Sequence, residues 1–191
     1  ADQALKNIRF TSSLEEAAKD ADLVIEAAVE KLDIKRKLFA QLDSICPSHT
    51  LLTTNSSYIV SSKIVDVTNR PEKVANLHFF NPALVMKLVE VVKGPHTSED
   101  TVQTLMDFCE KLDKIPVLLK KEIYGFVVNR ILTALRTEAI FLLDMGIATH
   151  EEIDTAVTLA LGHPMGPFRL MDLTGIDLTY YVNMERFQET G

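Results

Sequence analysis

Residues 22–54, DLVIEAAVEKLDIKRKLFAQLDSICPSHTLLTT, predict a strand, a helix and a second strand in that order. The opening run, Asp22 to Ala28, is continuously apolar between charged residues, which is typical of a parallel strand. Apolar residues recur at nearly helical spacing from Leu32 to Ile45, and Pro47 predicts the end of this helix. Thr50 to Thr54 predicts the second strand. This order indicates a parallel α/β sheet.

The same alternation continues on both sides of this unit. Upstream, the pattern predicts a short strand at Asn7–Thr11 and a helix that begins at a capping box of Ser13 and Glu16. Downstream, it predicts strands at Val74–His78, Val85–Lys93 and Ile115–Leu119, and a helix from Ser98 through Leu112. We therefore expect one α/β domain over residues 1–120.

The pattern changes to helices alone after Lys121. Residues 126–145 form one long apolar stripe at helical spacing, and Gly146 is placed to end it. Thr149 and Glu152 form a capping box for another helix, which is expected to stop at Gly162. Residues 121–191 are therefore expected to form a second, all-α domain.

Composition limits the classes of function. The chain has 191 residues, 47% of them hydrophobic, as in a soluble globular protein. Its formal charge of −7 argues against nucleic acid as a partner, because phosphate binding needs a basic face. Two cysteines distant in sequence, Cys46 and Cys109, suit reduced thiols. Since no membrane span or signal-peptide pattern is found, we expect a soluble intracellular protein.

Glycine spacing bears on nucleotide binding. An open α/β sheet that binds a dinucleotide begins with a strand, a glycine-rich turn and a helix. No two of the seven glycines lie two residues apart, so the GxGxxG fingerprint is absent. We expect that the chain lacks either a site of that kind or the segment that would carry it.

Two ionisable residues lie in apolar surroundings in residues 77–92, LHFFNPALVMKLVEVV. A buried ionisable group is costly unless it is paired, which suggests that His78 and Glu90 pair with each other. If the intervening turn brings the two strands together, the carboxylate can accept a hydrogen bond from the imidazole and stabilise its cation, as in a general base. Spacing alone favours a simpler alternative, a capping histidine and a glutamate that faces water.

Other candidates each have a structural alternative. Ser57 follows a strand end, where its hydroxyl could meet a ligand or close a turn. Asn129, in GFVVNR, could hold a substrate carbonyl or be an ordinary first-turn residue. Glu30 and Lys35 could contact a cofactor ribose or nicotinamide, or form a solvated pair. The cysteines and the remaining histidines show no metal-ligand spacing, so no metal site is expected.

Together these segments resemble the L-3-hydroxyacyl-CoA dehydrogenase family. The matching stretches are DLVIEAAVEKLDIKRKLFAQLD, TTNSS, LHFFNPALVMKLVEVV, GFVVNR and GHPMGPFRLMDLTGID. They occur in family order and cover nearly the whole chain. The resemblance implies a Rossmann-type NAD-binding domain that lacks its N-terminal strands and glycine-rich loop, followed by an all-helical domain that in the family forms the dimer.

The resemblance also implies roles for individual residues. His78 matches the catalytic histidine and Glu90 its carboxylate partner. Ser57 matches the serine that contacts the substrate hydroxyl, and Asn129 matches the asparagine near the thioester carbonyl. Glu30, Lys35, Asn81 and Ser57 match positions that contact NAD.

The implied activity is the NAD-dependent oxidation of a (3S)-3-hydroxyacyl-CoA to a 3-oxoacyl-CoA, in fatty-acid β-oxidation or butyrate metabolism. The resemblance further implies an acyl-CoA thioester substrate and a homodimer. It favours a cytoplasmic location, with the mitochondrial matrix or the peroxisome as the alternative in a eukaryote.

Departures from the family pattern keep alternatives open. The glycine-rich loop, the acidic residue that reads the ribose and the insert that contacts CoA are missing, so we expect the chain to be part of a longer protein. Tyr124 replaces a proline that often precedes the glycine of GFVVNR. The alternatives are a dehydrogenase of a free hydroxy or sugar acid, a structural family member without catalysis, and one unit of a multifunctional protein. Acyl-chain length, preference for NAD over NADP and direction of flux stay open.

Overall fold

A computed structural model describes residues 6–176 and residue 184. The chain divides into two compact units, Ala1–Val127 and Val128–Gly191. The described part of the first unit combines a sheet with helices, and that of the second is helical. Residues 121–127 lie in the first unit, where Phe126 is fully buried. The expected domain boundary between residues 120 and 121 stays a prediction.

The first unit is built on a mixed, mostly parallel sheet. Its strands are β1 (Leu23–Glu26), β2 (Leu51–Thr54), β3 (Val74–Phe79), β4 (Leu88–Val92) and β5 (Ile115–Leu119), in that spatial order. Only the β3 and β4 pair is antiparallel among the described strands. In that pair His78 lies directly opposite Glu90.

The helices of this unit are α1 (Leu14–Ala18), α2 (Leu32–Ile45) and α3 (Glu99–Lys111). Serine side chains begin two of them. The Ser13 hydroxyl accepts the N–H of Glu16 to start α1, and the Ser98 hydroxyl accepts the N–H of Thr101 to start α3. Short 3-10 turns at Ser61–Lys63, Val65–Val67 and Pro71–Lys73 lead from β2 to β3.

Strand alternation determines which side chains meet at the site. Ala75 and Leu77 of β3 and Val89 and Val91 of β4 pack with α3 residues Leu105 and Cys109 in one buried cluster. Because successive strand residues point to opposite faces, His78 and Glu90 share the other face. Burial of a single leucine or valine side chain contributes about 1.5–3 kcal/mol. This register is therefore favoured over one shifted by a single residue, which would move these side chains to the other face.

The second unit contains α4 (Val128–Asp144), α5 (His150–Leu161) and α6 (Pro167–Thr174). The predicted capping box of Thr149 and Glu152 begins α5, and Gly162 ends it at φ 68°. The Asp154 carboxylate accepts the N–H groups of Phe168 and Arg169, which caps the start of α6. In the stretch that the structure covers, no helix has both the length and the apolar character needed to cross a membrane.

Several predicted elements differ from the structure. The strand expected at Asn7–Thr11 is wrong, because residues 8–11 are exposed and take no regular structure. The strand expected from Val85 begins at Leu88, since residues 82–85 form a turn after the cis Asn81–Pro82 bond. The long helix begins at Val128 rather than Phe126, because Phe126 has a positive φ that an α-helix cannot accommodate.

Candidate active site

His78 and Glu90 form a buried pair across the β3 and β4 strands. His78 Nδ1 lies 2.8 Å from Glu90 Oε2. Only 4% of His78 and 1% of Glu90 is exposed. A carboxylate buried to this degree needs hydrogen-bond donors, and the imidazole N–H is one of them. The pairing suggested by the apolar surroundings of these two residues is present in the structure.

A backbone amide also holds Glu90. The Val127 N–H donates to Glu90 Oε1 at 3.0 Å. Each carboxylate oxygen therefore accepts a hydrogen bond from a different segment of the first unit. These two bonds fix the plane of the carboxylate and offset part of the cost of its burial.

Ser57 occupies the other side of the imidazole. Its Oγ lies 2.9 Å from His78 Nε2. Because the carboxylate of Glu90 can only accept, Nδ1 carries the proton and donates, which leaves Nε2 as the unprotonated nitrogen of the neutral ring. We assign this tautomer from the hydrogen-bond network. The Ser57 hydroxyl then donates to Nε2, the nitrogen that can take a proton.

Aromatic rings enclose the imidazole. The Phe80 ring lies 4.7 Å from the His78 ring in an edge contact, and the Phe126 ring lies 5.3 Å away. Apolar walls exclude water and strengthen electrostatic interactions between the groups that they surround. The Asn55 side chain accepts the Phe79 N–H at 2.8 Å, which ties the loop after β2 to the end of β3.

Lys35 lies in a second buried cluster. Its ammonium is 2.8 Å and 3.0 Å from the two carboxylate oxygens of Glu26, and 3.3 Å from the Ala28 carbonyl. Glu26 also accepts the Thr54 hydroxyl at 2.6 Å. Only 1% of Lys35 is exposed. This burial favours an action of Lys35 through its carboxylate partners over direct contact with a cofactor.

Glu30 is the more accessible member of this cluster. Its Oε2 lies 3.3 Å from the Lys35 ammonium, and 35% of its side chain is exposed. Its Oε1 accepts the Ser56 hydroxyl and the N–H of Tyr58 at 3.3 Å. Glu30 therefore holds the backbone just after Ser57, and its side chain stays partly exposed.

The last two predicted residues lie in different settings. Asn81 is exposed in the turn after β3. Asn129 is half-buried in the first turn of α4, where its backbone carbonyl accepts the Thr133 hydroxyl at 2.7 Å. Asn129 belongs to the second unit, so its role stays a prediction from the resemblance.

Sequence reasoning missed three contributors: Glu26, Phe126 and the Val127 amide. Glu26 had a readable signal, because an acidic residue that ends the apolar run LVIE needs a buried cation, and Lys35 follows nine positions later. Phe126 and Val127 had none, since their role depends on a backbone conformation that sequence spacing does not encode.

The site occupies the edge where ligands bind in open α/β sheets. Ser57 follows β2, Glu30 follows β1 and Asn81 follows β3, all at carboxyl ends of parallel strands. A half-buried serine and a partly exposed glutamate there offer groups that fit the hydroxyl and amide groups of NAD. Among residues 6–176 and 184, no group of three or more potential ligands could hold a metal ion.

The fold defines a Rossmann-like α/β protein that carries a buried histidine and carboxylate pair at the carboxyl end of strand β3. The family model of the 3-hydroxyacyl-CoA dehydrogenase NAD binding domain matches residues 1–123, and that of the C-terminal domain matches residues 125–191. The chain belongs to the 3-hydroxyacyl-CoA dehydrogenase family. Both the predicted family and the predicted fold class are confirmed.

Individual relatives agree with this assignment. The mitochondrial hydroxyacyl-coenzyme A dehydrogenase of Rattus norvegicus is 42% identical over 95% of this chain and 57% of its own length. The 3-hydroxybutyryl-CoA dehydrogenase of Clostridioides difficile is 42% identical over 99% of this chain and 66% of its own length. The crystal structure of 3-hydroxybutyryl-CoA dehydrogenase from Escherichia coli has a TM-score of 0.92, with 43% identity, 98% coverage of this chain and 39% of that one. The chain thus spans less than two thirds of each relative.

Proposed function

We propose that the whole protein oxidises a (3S)-3-hydroxyacyl-CoA to the 3-oxoacyl-CoA with NAD. The observation that carries the proposal is the chain of contacts from Ser57 through His78 to Glu90 in a family fold. These contacts place the unprotonated Nε2 of His78 next to the Ser57 hydroxyl, which can bind a substrate hydroxyl. A base in that position is what the removal of a hydroxyl proton requires.

In the proposed mechanism His78 Nε2 accepts the proton of the substrate 3-hydroxyl. NAD held at the strand ends would supply the acceptor for the hydride that C3 must lose as its hydroxyl becomes a carbonyl. Glu90 stabilises the imidazolium that forms, and its bond to the Val127 N–H keeps the carboxylate in the orientation that receives Nδ1–H. Ser57 holds the reacting oxygen close to Nε2. Phe80 and Phe126 keep water from the transferred proton.

Further residues complete the proposal. Asn129 holds the thioester carbonyl, as the resemblance implies. Glu30 and Asn81 hold NAD from the strand ends, and Lys35 acts through Glu26 and Glu30. Glu30 is the best supported of these because its side chain is 35% exposed and bonds to the loop that carries Ser57.

The proposal extends to assembly and cell biology. The second unit forms a homodimer, supported by large apolar side chains that are more than half exposed in its described part, among them Ile131, Phe141, Met145, Ile147, Leu159 and Leu161. The protein acts in fatty-acid β-oxidation or butyrate metabolism in the cytoplasm, with the mitochondrial matrix as the alternative suggested by the mitochondrial relatives. Sedimentation of the complete protein tests the dimer, and a monomer at micromolar concentration would contradict it.

Ser57, His78 and Glu90 also have the contacts of a serine hydrolase triad, which makes thioester hydrolysis a second candidate. A hydrolase needs backbone N–H groups that are free to bind an oxyanion near the nucleophile. Here the N–H groups after Ser57 are already used, because Tyr58 N–H donates to Glu30 and Ile59 N–H donates to the Ser56 hydroxyl. This observation favours oxidation.

One assay separates the candidates. The complete natural protein is mixed with NADH and either acetoacetyl-CoA or free acetoacetate, and both NADH oxidation and release of free CoA thiol are followed. We expect NADH oxidation with the CoA ester alone and no thiol release. Oxidation with free acetoacetate at a similar kcat/KM would favour a hydroxy-acid dehydrogenase, and thiol release without NADH oxidation would favour a hydrolase.

A further inference from the structure

The segment of residues 122–127 covers the His78 and Glu90 pair. At its end, the Val127 N–H donates to Glu90 Oε1 at 3.0 Å. One residue earlier, the fully buried Phe126 ring contacts the His78 ring. Two adjacent residues of this segment therefore touch both members of the pair.

This contact depends on an uncommon backbone conformation. Gly125 has φ 74° and Phe126 has φ 50°, both in the left-handed region. A bulky residue such as phenylalanine adopts that region only where the surrounding structure holds it there. The segment therefore needs anchors on the N-terminal side of Gly125.

Glu122 supplies the anchor at the start of the segment. Its Oε1 accepts the Ser61 hydroxyl at 2.6 Å and the Ser62 N–H at 2.9 Å. Ser61 is fully buried, and its own N–H donates to the Asn76 side chain at 2.8 Å. Glu122 is thus tied to a fixed point close to strand β3.

A second anchor lies between Glu122 and Gly125. The Tyr124 ring lies 4.7 Å from the Tyr58 ring. Tyr58 directly follows Ser57, so the segment is joined to the loop that carries the hydroxyl on the other side of His78. Both anchors connect residues 122–127 to residues 57–62.

We propose that Glu122 is a positioning residue for the His78 and Glu90 pair. It holds residues 122–127 so that the Val127 N–H stays on Glu90 and the Phe126 ring stays on His78. Glu122 touches neither residue and acts through this segment. The inference deepens the proposed function, since it rests on His78 as the base that Glu90 orients.

Three variants test this role in the complete natural protein. Glu122→Ala removes the acceptor for both bonds. Glu122→Gln is the matched control, because its amide oxygen can still accept from the Ser61 hydroxyl and the Ser62 N–H. Ser61→Ala removes one donor without changing Glu122, so the test survives if Glu122→Ala fails to fold.

Kinetics with NADH and acetoacetyl-CoA provide the first measurement. We expect Glu122→Ala to lower kcat about tenfold, since weakening a hydrogen bond to a charged group has effects of that order, while both KM values change by less than about twofold. Glu122→Gln should stay within about threefold of the unmodified kcat because it keeps the acceptor. In a Glu90→Gln background Glu122→Ala should have a smaller effect than in the unmodified protein, because both changes disturb the contact between Val127 and residue 90.

Hydrogen exchange at the Val127 amide provides a measurement that does not depend on activity. We expect exchange to accelerate at least about tenfold in Glu122→Ala and less in Ser61→Ala, while the Val91 amide in β4 keeps its protection. Glu122→Gln should resemble the unmodified protein.

These outcomes separate the two proposals. If the unmodified protein does not oxidise NADH but Val127 exchange rises in Glu122→Ala and not in Glu122→Gln, the proposed function fails and the anchoring by Glu122 stands. If the protein is active and Glu122→Ala keeps both kcat and Val127 protection, the inference is overturned. An effect of Glu122→Ala that adds fully to that of Glu90→Gln, or that raises KM and leaves kcat unchanged, also overturns it.

Discussion

Replacement of Glu90 with glutamine changes the site by one charge and almost no volume. Glu90 accepts hydrogen bonds from His78 Nδ1–H and from the Val127 N–H. The glutamine amide has one acceptor oxygen, so its NH2 group must face one of the two donors. If the NH2 group faces Val127, the Val127 N–H loses its acceptor. If it faces His78 Nδ1, the ring proton moves to Nε2 on the Ser57 side, and Nε2 can no longer accept a proton.

The size of the effect follows from these contacts. A hydrogen bond to a charged group contributes about 1.5–3 kcal/mol, which corresponds to a loss of about 10- to 150-fold in kcat. The lower limit applies if only Val127 is left unpaired. The upper limit applies if the amide oxygen faces Val127, so that His78 Nδ1 has no acceptor.

The assay is NADH oxidation by the complete protein at saturating acetoacetyl-CoA. Glu110→Gln, an exposed change on α3, is the matched control and should leave kcat unchanged. NADH affinity, measured by fluorescence titration, should persist in both variants. A Glu90→Gln protein with kcat within about twofold of the unmodified protein would refute this reasoning, since even one lost charged hydrogen bond predicts more.

Three further predictions concern stability and thiol chemistry. Lys35→Met should lower the free energy of unfolding by about 3 kcal/mol in denaturant titrations, because it leaves Glu26 buried without its cation. Adding Glu26→Gln to this variant should restore part of the lost stability. A Lys35→Met protein of unchanged stability would contradict the buried pair. Gly166→Ala should cost about 1–3 kcal/mol in thermal unfolding, because a Cβ there would lie 2.3 Å from Asp154 Cγ and 2.4 Å from Asp154 Cβ. Asp154→Gly, which removes both of these atoms, should abolish most of this cost, whereas Asp154→Ala, which keeps the Cβ, should not. Burial raises the pKa of the Cys109 thiol to about 11, so the folded state disfavours the thiolate, and stability should fall as pH rises from about 9 to about 11. Iodoacetamide should therefore modify Cys109 only after unfolding, and fast modification of the native protein at pH 8 would contradict this.

The sheet could be predicted well where burial and local pattern agree. Helix α2 has the predicted bounds, because its apolar stripe and Pro47 act together. The prediction of a strand at Asn7–Thr11 is wrong because its alternating apolar residues are not buried: Phe10 is 90% exposed. In β3 and β4, the apolar pattern fixed the register, and the register placed His78 opposite Glu90.

The rest of the site could not be read from spacing. Val127 reaches Glu90 only because Gly125 and Phe126 take left-handed conformations, which depend on tertiary contacts. The ion pair of Lys35 with Glu26 joins a strand end to a helix nine residues later, and the predicted contact of Lys35 with the cofactor stays a prediction. The roles of Asn129, Asn81 and Glu30 stay predictions that rest on the resemblance.

The central claim is that His78 is the base, and the most direct measurement compares kcat for NADH oxidation with acetoacetyl-CoA in the complete protein and in His78→Ala. His49→Ala is the matched control, because His49 lies on the surface beside Asp22. We predict a loss of about 10²- to 10⁴-fold for His78→Ala, the usual contribution of a general acid or base, with NADH binding retained and His49→Ala unaffected. A His78→Ala protein that turns over within about threefold of the unmodified rate would contradict the account.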